Sequence, residues 1–272
     1  MLNETVQAIA QLGVGLFALA MVLVQFIAKE IGYFIGRRAA AREKGVGEGV
    51  GVVVGGMLGL LAFVLALTLS FSSARFQERR EGTLAEANAI GTAWLQAQAI
   101  GGPRGTEIAR LLEDYTALRR TFVLMDRDAA AENELSRRSN ALQSEMWGHV
   151  TALVRERPDP TTNSLMNALN NAFDLATAER FAFAMLFPPQ LFWLLVGMSL
   201  VSMSALGFQL GLRGKPLRVL TVLLLCMWTA TTTVILDMGS ARLGGIRVGS
   251  QAYDWTIQGF QGGVTIPSVP AR

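Results

Sequence analysis

The chain has 272 residues, of which 51% are hydrophobic and only 17% are charged, and its formal net charge is +3. Soluble proteins carry about 25% charged residues, so the composition indicates an integral membrane protein with a sizeable polar part. The modest charge and the lack of a basic, aromatic-rich patch argue against a nucleic-acid partner, and the single cysteine excludes an intrachain disulfide.

The first apolar run, residues 12–28, is just long enough to cross a bilayer as a helix. Lys29 and Glu30 follow it, and then Arg37 and Arg38, so the helix ends near Lys29 or continues to Arg37. The charged pair has two interpretations. It extends to the bilayer surface near a helix end, which we favour, or it forms a buried functional site.

The second predicted span lies within residues 47–76, where no charged residue occurs between positions 49 and 74. Its first half has a glycine at every fourth position. Small residues at this spacing let a neighbouring helix approach closely. We therefore predict helix-packing positions at Gly47, Gly51, Gly55 and Gly59.

The second half of this span continues the four-residue spacing with Phe63, Leu67 and Phe71. Each step of four drifts by about 40° on a helix, so these three side chains share one face. They line an apolar pore constriction if several copies meet around an axis; otherwise they contact lipid or a neighbouring helix. Both interpretations remain open on spacing alone.

No proline follows the second span before Pro103, so its helix is predicted to extend well beyond the membrane, as one long element or with a kink. Arginines occur at its exit, and rings of arginine or lysine attract anions to pores. The candidate vestibule residues are Arg75, Arg79 and Arg80. Further along lie Glu86, Asn88 and Thr92, which we expect either in a buried polar network at a tight helix contact or around a water-filled vestibule.

Residues 103–187 show apolar side chains at three- and four-residue spacing, which predicts amphipathic helices. Pro158 and Pro160 break the pattern, and the candidate N-caps for the next helix are Asp159, Thr161 and Thr162. The predicted buried stripe of the first helix is Ile108, Leu111, Leu112, Tyr115, Leu118 and Phe122. This region is therefore predicted to be a helical bundle outside the membrane.

The third and fourth spans are predicted at residues 190–212 and 219–238. Asp237 ends the fourth span and is expected to pair with Arg242 or Arg247. The predicted fold class is all-α, with four transmembrane helices and an extramembrane helical bundle inserted between the second and third. The predicted divisions are residues 1–74 and 188–240 in the membrane, 75–187 in the bundle, and an irregular tail at 241–272.

No set of residues suggests catalysis, a metal site or a cofactor site. The one histidine, His149, follows the amphipathic pattern of a bundle helix, which favours a structural role. Cysteine and histidine do not cluster at metal-ligand spacing. The glycines of the second span lack the Gly-Lys-Ser/Thr ending of a phosphate-binding loop. We therefore expect a protein that is not an enzyme.

Basic residues predict the orientation in a bacterial inner membrane. The loop after the first span and the loop after the third are both basic, and basic loops stay in the cytoplasm. The residues are Arg37, Arg38, Arg42 and Lys44 in one loop and Arg213, Lys215 and Arg218 in the other. Both termini and the bundle are then predicted to lie outside.

Several strings resemble a family of bacterial bestrophin-like membrane proteins. They are GRR at 36–38, the glycine-rich start of the second span, FQERREGTLAEANAIGTAWLQA at 76–97, NNAFDLATAERFAFAMLFPPQLFW at 170–193 and ILDMGSARLGGIRV at 235–248. The resemblance covers most of the chain. EANAIGTAW at 86–94 and the ILD…GGIRV string are its most specific parts.

The resemblance implies a distant likeness to bestrophins, which are pentameric anion channels with a neck of apolar residues four apart. Phe63, Leu67 and Phe71 would be the neck residues here. The acids of the bestrophin calcium clasp have no counterpart in this sequence, and the resemblance implies cytoplasmic termini, opposite to the charge-based orientation. The predicted function is a homo-oligomeric anion channel. The alternatives are a receptor with a ligand-binding bundle and a structural membrane protein without transport.

Overall fold

The computed structural model describes residues 13–42, 49–185, 187–242, 244–265 and 267. These residues form α-helices and no strand, as predicted. The helices are α1 (Val14–Arg42), α2 (Val50–Ile100), α3 (Gly102–Leu124), α4 (Ala129–Glu156), α5 (Pro160–Ala184), α6 (Pro189–Leu212), α7 (Arg218–Ser240) and α8 (Gln251–Gly262). The long second helix was predicted from the absence of proline, and it spans 51 residues.

The chain divides into two compact units. One, the membrane unit, consists of Met1–Phe76 and Leu186–Ile246. The other, the bundle unit, consists of Gln77–Met185 and Arg247–Arg272. Among the described residues, 4 helical segments are able to cross a membrane by length and composition: Gly15–Arg42, Val50–Ile100, Pro160–Leu212 and Arg218–Ser240. The apolar part of the third is α6.

In the membrane unit, α1 and α6 approach each other through glycines. A Cβ atom added to Gly32 would lie 2.0 Å from the carbonyl oxygen of Ser204, and one added to Gly207 would lie 2.0 Å from that of Lys29. Gly36 and Gly211 repeat the contact one turn further along. Two facing small-xxx-small motifs therefore let the two backbones touch, which is a common way to pair helices in lipid.

A second contact in this unit brings α2, α6 and α7 together. Leu61 and Leu65 of α2 are buried against Leu195 of α6 and Ile235 of α7. Half-buried Met198 and Trp228 extend this core. The membrane part of α2 thus packs against α6 and α7 through one stripe of its surface.

The structure corrects our favoured interpretation of Lys29. Helix α1 continues to Arg42, and Lys29 lies within it, fully buried. Its ammonium group donates to Glu30 Oε1 at 2.8 Å and to the carbonyl oxygen of Pro216 at 3.0 Å. The cation is thus satisfied by acceptors inside the unit, as a charge buried in a membrane protein requires.

The bundle unit follows the predicted amphipathic pattern. Helix α3 buries the whole predicted stripe: Ile108, Leu111, Leu112, Tyr115, Leu118 and Phe122. Asp159 caps α5 by accepting the backbone N–H of Thr162, and Pro160 occupies the first turn. Asp128 caps α4 in the same way through Ala130 and Ala131.

The prediction of an irregular tail is wrong over part of its length, because Gln251–Gly262 is a helix, α8. Gly249 and Gly263 bound this segment, and a short helix between glycines has a weak sequence pattern. Tertiary contacts stabilise it. Tyr253 is fully buried, the ring of Phe260 lies 5.0 Å from that of Trp94, and Arg120 forms an ion pair with Asp254.

Candidate pore face and buried charge cluster

The predicted constriction residues lie on a face of α2 that the other described residues leave largely exposed. Phe63, Leu67 and Phe71 are 59%, 55% and 38% exposed. Residues of α2 that are buried, such as Leu61, Leu65 and Ser72, occupy the opposite side of the helix, because their spacing of four and seven keeps them together on another stripe. The uncovered face is therefore available to lipid, a pore or a second copy of the chain.

The glycines of α2 make little contact within the chain. A Cβ atom added to Gly55 or Gly59 would have nothing within 4 Å, whereas one added to Gly51 would lie 3.0 Å from the side-chain nitrogen of Gln209. Gly47 lies outside the described residues. The role of the four α2 glycines in helix packing stays a prediction. Within one chain, α1 and α6 are the helices that pack closely through glycines.

The three arginines at the exit of the span have different surroundings. Arg75 is partly buried, with its guanidinium 5.3 Å from the centre of the Phe71 ring. Arg80 is exposed. Arg79 is buried and donates to the carbonyl oxygens of Ala182 and Met185 at 3.2 and 3.3 Å. We therefore correct the assignment of Arg79: its donors bind the end of α5, which leaves Arg75 and Arg80 as vestibule candidates.

The polar residues further along α2 do not form one group. Glu86 is fully buried, in agreement with the buried-network interpretation. Asn88 and Thr92 are exposed, and the Thr92 hydroxyl donates to the backbone oxygen of Asn88 at 3.0 Å. Side chains two positions apart on a helix point about 200° apart around its axis. Asn88 therefore points away from the side that Glu86 occupies.

Glu86 belongs to a buried charge cluster centred on Arg119 of α3. Arg119 Nε and Nη2 donate to the two oxygens of Glu86 at 2.6 and 2.9 Å. Its Nη2 also donates to Glu179 Oε2 of α5 at 2.6 Å. One guanidinium thus faces two carboxylates, and all three side chains are shielded from water. The cluster would carry a net negative charge if both acids were ionised.

Hydroxyl groups complete the charge cluster. Tyr253 of α8 donates its O–H toward Glu86 Oε2 at 2.9 Å and Glu179 Oε2 at 3.1 Å, and Thr83 of α2 donates to Glu179 Oε1 at 2.5 Å. Burial, followed by the charge of Glu86, raises the pKa of Glu179 to about 8, against the lowering effect of Arg119. A proton on Glu179 neutralises the cluster, which matches the low polarity of its surroundings.

We expect the free energy of unfolding to fall as pH rises from about 4.5 to about 8, at about 1.4 kcal/mol per pH unit. Glu179 holds its proton in the folded state over this range, while the unfolded chain releases it, so raising the pH favours unfolding. Thermal unfolding of the full chain in detergent at pH 6 and pH 8.5 measures the effect. In Glu179→Gln, which stays neutral, the fall in Tm should be about 5 °C smaller; equal falls would contradict this assignment.

Asp237 at the end of α7 is held by backbone groups. Its Oδ2 atom accepts the N–H groups of Gly245 and Ile246 at 3.0 and 3.2 Å. Gly244 lies so close to this carboxylate that a Cβ atom there would be 1.7 Å from Oδ1. Arg247, one of the two predicted partners, also forms an ion pair with Asp126. The GGIRV string thus provides a tight turn around an acid.

The chain is similar in structure to a solved bacterial bestrophin homologue from Klebsiella pneumoniae that carries a point mutation. The TM-score is 0.63 at 17% sequence identity, and the similarity covers 90% of this chain and 97% of that one. No protein-family model and no curated protein matches the sequence. The chain therefore has a bestrophin-like, all-α fold with several helices able to cross a membrane.

Proposed function

We propose that the protein is a subunit of an oligomeric, passive anion channel in which Phe63, Leu67 and Phe71 form the apolar constriction. The observation that carries this proposal is the uncovered apolar face of α2, which lies opposite the stripe that α2 buries in its own chain. The likeness to a bestrophin homologue favours a channel over an enzyme.

A pore along this face needs several copies of the chain, because one helix cannot enclose a path for an ion. Gly55 and Gly59 have open space beside them, which supports them as positions where a helix of a neighbouring copy approaches. The resemblance to bestrophins suggests five copies. Arg75 and Arg80 would then form rings next to the constriction and attract anions, as cationic rings do in other anion pores.

Replacement of Phe71 by alanine is expected to raise the single-channel chloride conductance severalfold. Shortening the side chain widens an apolar constriction and reduces dewetting. The measurement is planar-bilayer recording of purified protein in a chloride gradient, where the sign of the reversal potential reports anion selectivity.

Arg80→Gln should lower chloride conductance at low ionic strength more than at high ionic strength, because salt screens exposed charges.

Leu223→Ala is the matched control, because Leu223 of α7 is 57% exposed, comparable to Leu67, and lies outside the proposed pore. Its conductance should equal that of the wild type. The absence of chloride current in the wild type, with no change in Phe71→Ala, would contradict the channel proposal.

The number of subunits separates the channel from the receptor alternative. Light scattering of the detergent-solubilised protein is expected to give five copies for the channel, whereas a monomer or dimer would favour a receptor that binds a ligand in its bundle. A structural protein without transport would form oligomers without current.

The charge of the loops supports an orientation with both termini and the bundle outside the cytoplasm. Arg37 and Arg38 follow the first span, and Arg213, Lys215 and Arg218 lie between the third and fourth. An activity reporter fused after Arg272 tests this orientation. Cytoplasmic reporter activity would overturn it and would agree with the orientation that the bestrophin resemblance implies.

A further inference from the structure

Three potential metal ligands come together on α3 and α4. Glu145 and His149 are four residues apart on α4 and share one face of that helix, and Glu107 of α3 lies beside them. Ligand atoms from the three side chains all lie within 4.8 Å of one another. The sequence did not suggest this group, because Glu107 is distant along the chain and only the Glu-x-x-x-His pair is local.

The donor set is one imidazole nitrogen and two carboxylate oxygens. Zinc accepts this combination, with three protein ligands and a water molecule in the fourth position. Around a tetrahedral zinc ion, ligand atoms lie about 3.4 Å apart, so the three side chains must close by at most about 1.4 Å. Glu145 is exposed and both glutamates have several rotatable bonds, so small rotamer changes achieve this.

His149 provides an independent indication. Its Nδ1 atom is shielded from solvent and has no hydrogen-bond partner among the described residues. Leaving a buried polar atom without a partner is unfavourable, and an imidazole nitrogen is the commonest metal ligand in proteins. The histidine is only half-buried, so an ion can reach it.

Glu107 has a competing partner that it can release. Arg110 binds its carboxylate, with Nη2 2.6 Å from Oε1, and also binds Asp114 Oδ2 at 2.8 Å. If Glu107 turned toward an ion, Arg110 would keep its bond to Asp114. Exposed ion pairs of this kind contribute little to stability. A bond between the metal and the Glu107 carboxylate therefore readily offsets the loss of the Glu107–Arg110 pair.

We propose that Glu107, Glu145 and His149 form a binding site for a divalent transition-metal ion, with Zn²⁺ as the best match, and that the ion links α3 to α4. The imidazole ligand favours zinc, copper and nickel over magnesium and calcium. The site is separate from the proposed pore and does not depend on it.

Because His149 is the single histidine of the sequence, its ring signals report binding directly. The test uses the full chain in detergent, labelled with ¹⁵N-histidine, purified without a polyhistidine tag, stripped with a chelator, and carrying Cys226→Ser to remove the thiol. One equivalent of ZnCl₂ should shift both ring nitrogen signals, whereas MgCl₂ at the same concentration should not. Calorimetry should give one zinc site per chain.

His149→Ala and Glu145→Gln should each weaken zinc binding by at least about tenfold. Glu134→Gln, on the same helix outside the group, should bind zinc as the parent does. Glu145 is exposed, so its variant remains folded even if His149→Ala does not. No ring shift at one equivalent of zinc, or an affinity unchanged by Glu145→Gln and His149→Ala, would overturn the proposal.

Discussion

Replacement of Arg119 by methionine is expected to lower the free energy of unfolding by about 3–5 kcal/mol. The substitution keeps an unbranched apolar side chain but removes the guanidinium that Glu86 and Glu179 share and that lies 4.6 Å from the centre of the Phe122 ring. The buried Glu86 carboxylate then lies beside protonated Glu179 without a compensating cation, and an unpaired buried charge destabilises the folded state strongly. Thermal unfolding of the full chain in detergent, followed by circular dichroism, measures the loss.

The triple variant Glu86→Gln, Arg119→Met, Glu179→Gln distinguishes charge from packing. With these charges removed, much of the stability lost in Arg119→Met should return, because the penalty comes from the unpaired Glu86 carboxylate. Arg137→Met, which breaks an exposed pair with Glu134, should leave the Tm almost unchanged. A triple variant no more stable than Arg119→Met would mean that side-chain packing dominates the effect.

Replacement of Gly207 by alanine is expected to lower the Tm by about 10 °C, which corresponds to about 3 kcal/mol. The added methyl group would lie 2.0 Å from the backbone oxygen of Lys29. A backbone atom cannot move aside as a flexible side chain does, so α1 and α6 must separate and lose their contact along its length. Size-exclusion profiles and melting curves in detergent report the change.

Gly197→Ala is the matched control on the same helix, because nothing lies within 4 Å of a Cβ atom there. Its Tm should equal or slightly exceed that of the wild type, since alanine favours a helix over glycine. Equal Tm values for Gly207→Ala and Gly197→Ala would show that the α1–α6 contact is looser than described.

The parts of the fold that were predicted from sequence are those with strong local patterns. The length of α2 follows from the absence of proline, and the buried stripe of α3 follows from the spacing of Ile108, Leu112 and Tyr115. Asp159 and Pro160 marked the start of α5. These features depend on residues close in sequence, so one chain segment contains the whole signal.

The partners in the charge cluster depend on residues far apart in sequence. Glu86 was singled out, but Glu179 lies in an alanine-rich helix where nothing marks it as the partner of Arg119. Arg79 resembles its neighbour Arg80, and only the position of the end of α5 makes one buried and the other exposed. The four-residue spacing of Gly32 and Gly36 in α1, and of Gly207 and Gly211 in α6, is present in the sequence. The longer series of glycines in α2 drew the prediction of helix packing to that helix instead.

The contact of α1 with α6 also sets an order of assembly during biosynthesis. Lys29 and its acceptor Pro216 are separated by 187 positions, and Gly207 is nearly as far from its contact on α1. At about 5–20 residues per second, α1 waits about 10 to 40 s in the membrane before α6 and the loop beyond it emerge. Throughout that interval its glycine face has no partner from α6, and Lys29 has only Glu30. A chain truncated before α6 should therefore be recognised by membrane quality control and degraded.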